Sequence, residues 1–498
     1  MWQLRAFPAA GRFAGVRLGI LAVAVVAATA PVAAGRPPIP GGWQGQWMGS
    51  ASTVVSARLS DVRTMIGASS GPAATLTGAG VGIALIDTGV APVDGLPASQ
   101  VVNGPDLSFE SQAPALRYLD TYGHGTHMAG IMVGNGTYTG NVGLAPKAKL
   151  TSIKVGAASG AVDITQIIAA LDWVVQHRND DPAYPIRVVN LAYGTGGEPS
   201  HYTDPVMAAV EQAWKAGIVV VAAAGNGPHT KMSDPAIDPF VLSVGSAATY
   251  GTLTNADDTA STFNNGSNVT ITYDLVAPGE GILSLRNPGS SIDTQYPAAR
   301  QGDYLFRGSG SSQATAVTSA GVALLLQARP TLTPDQVVQV LTASATIIAD
   351  GRKMLNIARA VYQPIPAFTP RTIWSSGTGL LEDTRGSSHV VVGSTVLSGE
   401  NSIFGPFSTT AWAARSQART AWAGGVWMGN RFAGDGWTGT SWASRTWGAA
   451  TWTGLNWAAQ PWADPSWTGH YWSGHYWSGG TWDGHYWTSD DWSAASWG

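Results

Sequence analysis

Three polar side chains in the first two thirds of the chain could together activate a hydroxyl group. Asp87 follows the apolar run 81–86, His124 opens His-Gly-Thr-His-Met-Ala-Gly, and Ser312 lies in Gly-Ser-Ser-Gln-Ala-Thr-Ala. A serine hydroxyl is a weak nucleophile until a base removes its proton. An imidazole can do this near neutral pH, and a carboxylate can fix its tautomer and stabilise the imidazolium. These residue types therefore indicate nucleophilic catalysis.

Acyl transfer would also need donors for the negative charge that develops on a carbonyl oxygen. A serine in the first turn of a helix lies where backbone N–H groups lack helical acceptors. Asn226, at the end of Ala-Ala-Gly-Asn (223–226), follows the apolar run 218–223 and is a candidate for a second donor. The loss of such a side-chain donor typically costs about 3–4 kcal/mol of transition-state stabilisation.

Apolar strands and amphipathic helices alternate from residue 80 to about 362, which predicts a parallel sheet covered on both faces. The predicted buried strands are 81–86, 150–155, 188–191, 218–223 and 241–244. Predicted helices cover 164–177, 204–216 and 312–327, and a weaker helical pattern covers 62–66. Active sites in such sheets lie at the carboxyl ends of strands, where Asp87 and Asn226 fall.

At these residues the chain resembles the subtilisin-like (subtilase) family. The chain order Asp, His, Ser is the subtilisin order. The family's His-Gly-Thr-His-x-Ala-Gly is intact at 124–130, and its Ala-Ala-Gly-Asn is intact at 223–226. Its Gly-Thr-Ser-x-Ala-[Ser/Thr]-Pro segment is also present, but with Ser311 for Thr and Ala316 for Pro. The downstream helix and Pro330 align the nucleophile with Ser312.

The resemblance implies an α/β, three-layer subtilisin-like fold with a mainly parallel central sheet. It implies a serine endopeptidase that forms an acyl-enzyme on Ser312, with His124 as general base and acid. Asp87 would orient His124, and Asn226 would hold the oxyanion together with the Ser312 N–H. Residues implied to bind the polypeptide substrate are Ala192, Tyr193 and Gly194 on a pairing strand, and Ala223, Ala224 and Gly225 in a pocket. No cofactor and no metal are expected, because the family's usual calcium-binding loops are not recognisable.

Neighbouring residues of the same types have other interpretations. His127 is expected to be structural, and Ser309 and Ser311 to be loop and helix-capping residues. The Gly-x-Ser-x-Gly match at 67–71 lacks a preceding buried strand. Aspartic proteases need two carboxylates, and the chain has a single Asp-Thr-Gly, at Asp87. A catalytically silent domain is disfavoured, because both the triad and the oxyanion asparagine are kept.

Composition excludes several classes of protein. The formal net charge is −4, from 27 basic and 31 acidic residues, which lacks the basic footprint of a nucleic-acid binder. The chain has no cysteine, so disulfides, zinc–thiolate sites and thiol catalysis are excluded. Charged residues make up only 12% of the 498 residues, whereas there are 62 glycines and 22 tryptophans. This imbalance points to an unusual segment.

The N-terminus predicts export. Three arginines precede the apolar run 18–30, and small residues follow it, as in a secretory signal peptide over 1–34. The run is shorter than the roughly 20 residues of a membrane span, although an uncleaved anchor is an alternative. Residues 35–75 are expected to be a short pro-segment or N-terminal arm. The protein is therefore predicted to be secreted, with no stable membrane span after signal removal.

The C-terminus carries a tryptophan array. Residues 76–362 are the predicted catalytic domain, 363–410 a linker with some β-structure, and 411–498 a repeat rich in Trp, Gly and Ser. Tryptophan recurs there with a period of five, and Gln417 and Phe432 fill the two positions that lack it. The tryptophans are at 412, 422, 427, 437, 442, 447, 452, 457, 462, 467, 472, 477, 482, 487, 492 and 497. A short fixed period is typical of a repeat array.

The array has several interpretations. They are a solenoid, exposed aromatic ladders and a tail without fixed structure, and the array loosely resembles Trp-Ser-Gly-type repeats that follow some bacterial subtilases. It could serve as a spacer, or it could bind cell-wall polysaccharide and hold the protein at the cell surface. His470, His475 and His485 lie in it, as repeat decoration or, alternatively, as metal ligands. The alternative function is a surface-binding protein with a silent subtilase domain.

Overall fold

The computed structural model describes residues 55–430 except 98, 112–115, 198, 228–230, 267–272, 387–388, 393–394 and 424–425, and it also describes residues 467–468. The predicted signal peptide (1–34), the first part of the predicted pro-segment (35–75) and most of the predicted repeat (411–498) lie outside the described residues. Within the described part of the chain, no helix is both long and apolar enough to cross a membrane.

A large, mainly parallel sheet forms the centre of the described chain. The strands up to residue 354 are β1 (Gly82–Asp87), β2 (Val101–Asp106), β3 (Lys149–Lys154), β4 (Ile186–Leu191), β5 (Val219–Ala223), β6 (Leu242–Ala248), β7 (Thr259–Ala260), β8 (Leu275–Pro278), β9 (Ile282–Leu285), β10 (Arg300–Gln301), β11 (Leu305–Gly308), β12 (Thr346–Ile347) and β13 (Lys353–Met354). The order across the central sheet is β12-β13-β8-β6-β5-β4-β1-β3-β2, with β7 paired to β6. Pairing is parallel from β13 to β2, whereas β12 and β7 are antiparallel. Strands β10, β11 and β9 form a separate antiparallel sheet.

The predicted parallel sheet is confirmed, and each of the five predicted strands overlaps an observed one. Both faces of the sheet are buried, which explains why its strands are continuous apolar runs and not alternating ones. In β1, Ile83 and Leu85 pack into the core on one face, and Ala84 and Ile86 pack into the core on the other.

Helices cover both faces of the sheet. They are α1 (Leu59–Met65), α2 (His124–Val133), α3 (Ile164–His177), α4 (Pro205–Lys215), α5 (Ser291–Gln295), α6 (Ser311–Ala328), α7 (Pro334–Ser344), α8 (Ile357–Ala360), α9 (Leu381–Arg385) and α10 (Thr409–Gln417), with 3₁₀ turns at Gly71–Thr75 and Pro297–Ala299. Helices α2 and α6 share the core of one face, and α3 and α4 share that of the other. The result is a three-layer α/β arrangement.

Two of the predicted helices begin where an aspartate side chain caps them. Helix α3 coincides with the predicted 164–177, because Asp163 accepts a hydrogen bond from the Thr165 N–H in its first turn. Asp204 caps α4 in the same way through the Met207 N–H. Proline at the first helical position, Pro205, needs no hydrogen-bond acceptor there.

The residues after the sheet return to the α3–α4 face. They contain α9, α10 and the short strands β14 (Val391–Val392), β15 (Thr395–Val396), β16 (Asn401–Ser402), β17 (Gly405–Pro406), β18 (Trp422–Ala423), β19 (Val426–Trp427) and β20 (Trp467–Thr468). These strands pair as β14–β15, β14–β20, β16–β17 and β18–β19. The boundaries 363–410 and 411–498 stay predictions.

The first three tryptophans of the array are buried on helix α3. Trp412 and Trp427 donate from Nε1 to the same oxygen of Asp172, Oδ2, at 2.7 and 2.9 Å. Ser416 donates to its other oxygen at 2.6 Å. Trp422 donates from Nε1 to the carbonyl of Ala169, one turn before Asp172 on α3, at 2.8 Å. Because their rings are at most 5% exposed, these three tryptophans hold the C-terminal segment to the sheet domain.

We expect Asp172→Ala to lower the free energy of unfolding by about 3 kcal/mol or more. The substitution leaves two buried indole N–H groups and the Ser416 hydroxyl without their acceptor, and each buried unsatisfied donor costs about 1–3 kcal/mol. Asp172→Asn is the matched control, because its amide oxygen can accept from both indoles. Urea unfolding, in a background protected from self-digestion by Ser312→Ala, measures the difference.

The same pair of variants predicts a pH dependence. Burial raises the pKa of Asp172 to about 6 from its ordinary 3.8, although bonds from Ser416, Trp427 and Trp412 oppose the rise. A raised folded-state pKa makes a stabilising contribution below pH 4 that is lost as pH rises through 6. Asp172→Asn should therefore match the parent near pH 4 and exceed its stability at pH 8. Equal pH dependence in the two proteins would contradict this.

Candidate active site

Asp87 is the last residue of β1 and is fully buried. Its Oδ1 accepts a hydrogen bond from the Thr88 N–H at 2.7 Å. Burial raises the pKa of Asp87, whereas the bonds from Thr88 and the charge of Lys154 act to lower it. Lys154 ends the neighbouring strand β3, donates to the Thr88 carbonyl at 2.9 Å and pairs with Glu110 at 3.0 Å.

Helix α2 begins at His124 because side chains from elsewhere satisfy its first N–H groups. Thr88 Oγ1 accepts from the Gly125 N–H at 2.9 Å, and Asp120 Oδ2 accepts from the Thr126 N–H at 2.8 Å. The Thr88 hydroxyl in turn donates to Asp120 Oδ1 at 2.7 Å. These two side chains join the end of β1 to the start of α2, so they fix His124 relative to Asp87.

Glycines on either side of His124 allow the start of α2 to lie close to its neighbours, including the turn after β1. Gly123 has φ +109°, and a Cβ there would lie 2.5 Å from Ile292 Cγ1. A Cβ on Gly125 would overlap the carbonyl oxygen of Gly89 in the turn after β1. Close contacts therefore require glycine at position 125, and close contacts together with a positive φ require it at position 123.

His124 and Asp87 are in direct contact. His124 Nδ1 lies 2.8 Å from Asp87 Oδ1 and 2.9 Å from Oδ2, and both side chains are fully buried. A carboxylate can only accept, so Nδ1 carries the proton opposite ionised Asp87 and Nε2 is the basic nitrogen. Burial also lowers the pKa of His124, which keeps the imidazole neutral. Because the groups touch, they titrate as a pair.

Ser312 is the second residue of α6. It is fully buried, and its Oγ makes no hydrogen bond to any described residue. The two neighbouring serines have local partners: Ser309 Oγ accepts from the Gly281 N–H at 2.8 Å, and Ser311 Oγ accepts from the Gly225 N–H at 3.2 Å. Of the three hydroxyl groups, that of Ser312 alone is not committed to the described residues.

Asn226 lies against the start of α6. Its Oδ1 accepts from the Ser311 N–H at 2.6 Å. Because an N–H can only donate, this contact sets the orientation of the amide and leaves Nδ2 as its donor side. The next N–H of the helix, that of Ser312, belongs to the first turn and has no acceptor within the helix. The amide side chain of Asn226 and the Ser312 N–H are therefore the two candidate donors at the start of α6.

The Asp87–His124 pair and the Asn226–Ser312 pair both lie at the carboxyl ends of the parallel strands. Asp87 ends β1 and Asn226 follows β5, and only β4 separates these parallel strands. Strand β4 is tied to α6 by the Ser319 hydroxyl, which donates to Asn190 Oδ1 at 2.9 Å. The sheet and α6 therefore hold the candidate residues in fixed register.

The predicted substrate residues follow β4 and end β5. Tyr193 is 1% exposed, and its ring packs into the core of the α3–α4 face. Ala224 donates to the Val244 carbonyl at 2.9 Å and accepts from the Ser233 N–H at 3.0 Å. Added Cβ atoms on Gly194 and Gly225 would both collide with the side chain of Ser233. The other two predicted residues are buried, Ala192 and Ala223.

The contacts that Thr88, Asp120 and Ser233 make around the candidate site were not predicted from the sequence. A signal for Asp120 exists, because it precedes Gly123 by three residues and accepts its N–H at 2.6 Å, as a capping aspartate does. No local pattern marks Ser233. Its side chain packs against Gly194 and Gly225, and Gly194 is distant from it in sequence.

The remaining candidates lie apart from this arrangement. His127 is fully buried on α2, where its carbonyl accepts from Ser284 at 2.6 Å. The Gly-x-Ser-x-Gly match at 67–71 follows helix α1 and no strand, and its Ser69 is exposed. His470, His475 and His485 lie outside the described residues.

A model of the subtilase family matches residues 78–372, which is more than half of the chain. The chain belongs to the subtilase family. Its α/β sheet and its buried Asp87–His124 pair both lie within the matched residues. The matched subtilase domain is of the serine-type endopeptidase class.

Three named relatives support this. The chain is 36% identical to serine protease AprX of Bacillus subtilis over 278 residues, 54% of this chain and 61% of the relative. It is 31% identical to subtilisin DY of Bacillus licheniformis over 57% of this chain and 91% of the relative. It is 30% identical to minor extracellular protease Epr of Bacillus subtilis over 52% of this chain and 34% of Epr. This subtilase thus spans about three fifths of AprX and one third of Epr.

A solved structure is also similar. It is that of a cold adapted subtilisin-like serine proteinase, 28% identical, with 57% of this chain and 90% of that chain covered and a TM-score of 0.44.

Proposed function

We propose that this subtilase hydrolyses peptide bonds through an acyl-enzyme on Ser312. The observation that carries the proposal is the buried contact between His124 Nδ1 and both oxygens of Asp87. That contact leaves Nε2 as the base, and the uncommitted Ser312 hydroxyl is the matching nucleophile.

In the first half of the reaction, Ser312 Oγ attacks the carbonyl carbon while His124 Nε2 takes the hydroxyl proton. Asp87 stabilises the imidazolium that forms. The carbonyl oxygen becomes an oxyanion, which accepts hydrogen bonds from Asn226 Nδ2 and the Ser312 N–H. Donors fixed in advance act strongly here, because they need no reorganisation as the charge develops.

In the second half, the C–N bond breaks and His124 returns the proton to the leaving amine. Water then attacks the ester on Ser312, and His124 takes a proton from that water. A second oxyanion forms in the same place. As it collapses, the carboxylic acid leaves and His124 gives its proton to Ser312 Oγ, which restores the hydroxyl.

The substrate would bind as an extended strand beside residues 192–194, which continue from β4. Main-chain hydrogen bonds provide affinity in this mode of recognition. Ala223, Ala224 and Gly225 would form the wall of the pocket for the residue before the cleaved bond. Small residues there suit a broad, apolar preference.

The protein would act outside the cell. The signal pattern at 1–34 supports export, and the relative Epr is named an extracellular protease. A cell-wall contact through the tryptophan array would hold the protease at the cell surface. The competing function is a surface-binding protein with a silent subtilase domain.

Labelling of the secreted protein with a fluorophosphonate tests the proposal. We expect one label per chain in the parent and none in Ser312→Ala. Ser69→Ala is the control and should keep the label, because Ser69 is an exposed serine in the other Gly-x-Ser-x-Gly context. A folded, processed parent that takes no label would favour the binding protein, and a labelled Ser312→Ala would exclude Ser312 as the nucleophile.

A further inference from the structure

A second group of polar side chains gathers away from the proposed catalytic residues. His201 lies in the loop after β4, Glu211 on α4, and Asp238 in the segment before β6. Each offers one ligand atom, and these atoms all lie within 4.8 Å of one another. Glu211 and Asp238 are buried, and the His201 side chain is 28% exposed. The group is therefore reachable from solvent on one side.

Asp238 has an oxygen that the described residues leave unused. Its side chain is 0% exposed, and its Oδ1 accepts from the Phe240 N–H at 2.6 Å. Its Oδ2 makes no hydrogen bond to any described residue, and neither does His201 Nδ1. These two atoms face each other at 3.6 Å. A buried carboxylate oxygen normally has a partner, so this one points to a missing ligand.

The separation of the two atoms fits a shared cation. A distance of 3.6 Å is too long for a hydrogen bond. Two ligands on a tetrahedral cation with bonds of about 2.1 Å lie roughly 3.4 Å apart. The observed gap between His201 Nδ1 and Asp238 Oδ2 is close to that spacing.

Glu211 is oriented as a third ligand. Both of its oxygens lie within hydrogen-bond distance of the Ser375 N–H, at 2.9 and 2.8 Å. Each oxygen keeps a further lone pair. Hydrogen bonds behind metal ligands, such as those from Ser375 and Phe240, commonly fix ligand orientation.

The surroundings are rich in acidic side chains. Asp204 and Asp234 are also buried, and both Asp234 oxygens lack hydrogen bonds to the described residues. Lys215 lies nearby, with its Nζ 4.0 Å from the centre of the Trp374 ring, where it offsets part of this charge. Buried charges are usually paired or bound to a metal.

We propose that His201, Glu211 and Asp238 bind a divalent cation of the zinc class. One imidazole nitrogen with two carboxylates suits zinc, whereas calcium takes six to eight oxygen ligands. The site differs from the metal-free expectation of the sequence analysis, because its ligands come from three separate segments and form no local motif. It does not depend on the proposed peptidase activity.

The cation would have a positioning effect. It would cross-link the loop after β4 to α4 and to the segment before β6. That loop begins with residues 192–194, and Thr195 pairs with Asp234 through N–H to carbonyl bonds of 2.9 and 3.1 Å. Zinc would therefore stabilise the backbone next to the proposed substrate strand.

Zinc binding to the full chain carrying Ser312→Ala tests the site. After treatment with EDTA, equilibrium dialysis against zinc chloride should show one more bound zinc per chain in this parent than in parent plus His201→Ala. Asp238→Asn, which keeps the shape of the side chain, should lose the same zinc. His389→Ala is the matched control, since His389 is another partly exposed histidine beside a carboxylate, Glu382, at 2.9 Å.

All of these variants retain His470, His475 and His485, so any zinc bound by those histidines is the same in each variant. A difference in bound zinc between variants therefore reports on the proposed site alone. Zinc should also raise the thermal unfolding temperature of the parent and of His389→Ala, but not that of His201→Ala. Equal zinc stoichiometry in the parent and His201→Ala would overturn the proposal. So would stabilisation by calcium with no effect of zinc. Near-ultraviolet circular dichroism verifies that each variant is folded.

Discussion

Ser312→Ala is expected to reduce kcat for peptide hydrolysis by about 10⁶-fold, the magnitude known for subtilisin. The substitution removes the atom that forms the acyl-enzyme, and no described hydroxyl beside it is free to replace it. Ser309 and Ser311 have local partners, the Gly281 and Gly225 N–H groups. A residual rate of roughly 10³–10⁴ over water should remain, because the oxyanion donors are intact. Kinetics with a chromogenic peptide measure both values.

The fall in kcat caused by Ser312→Ala should not add to the fall caused by removing the base, His124. His124→Ala alone should be about as slow as Ser312→Ala, and the double variant about as slow as either, because both groups act in one step. KM should change little in all three proteins. A double variant far slower than either single variant would contradict a shared step, and a Ser312→Ala rate within tenfold of the parent would contradict the assignment of the nucleophile.

The sheet could be predicted from the sequence because its strands are continuous apolar runs. The run 81–86 became β1 with a shift of one residue, and Asp163 and Asp204 began α3 and α4 by capping. The Asp87–His124 contact was implied by motif order. Its geometry depends on Asp120, whose bonds to the start of α2 join segments that the sequence presents separately.

Contacts between distant segments could not be predicted. The five-residue tryptophan period matches neither strand nor helix, so it says nothing about what the rings touch. Trp412 and Trp427 are satisfied by Asp172, about half the chain away. The cluster of His201, Glu211 and Asp238 was missed for the same reason. The fold brings these residues together from separate segments, and their spacing in the sequence gives no sign of it.

Asp87→Asn is expected to lower kcat about 10⁴-fold, by analogy with triad hydrolases in which this change reverses the histidine tautomer. Asp87 can only accept from Nδ1–H, whereas an asparagine amide can present an N–H to Nδ1. His124 would then carry its proton on Nε2 and could not take the proton of Ser312. Asp94→Asn is the control, because Asp94 is exposed in the segment that follows the same strand.

The pH profile distinguishes this role from a purely structural one. Burial raises the pKa of Asp87 above its ordinary 3.8, so its carboxylate is lost at a higher pH than that of an exposed aspartate. Protonation removes the acceptor for Nδ1–H, and activity should fall as pH falls through the titration of the Asp87–His124 pair. In Asp87→Asn, the part of this acid-side fall in activity that comes from protonation of the Asp87 carboxylate should be absent. An Asp87→Asn variant that keeps the parent's kcat and acid limb would show that Asp87 does not orient His124.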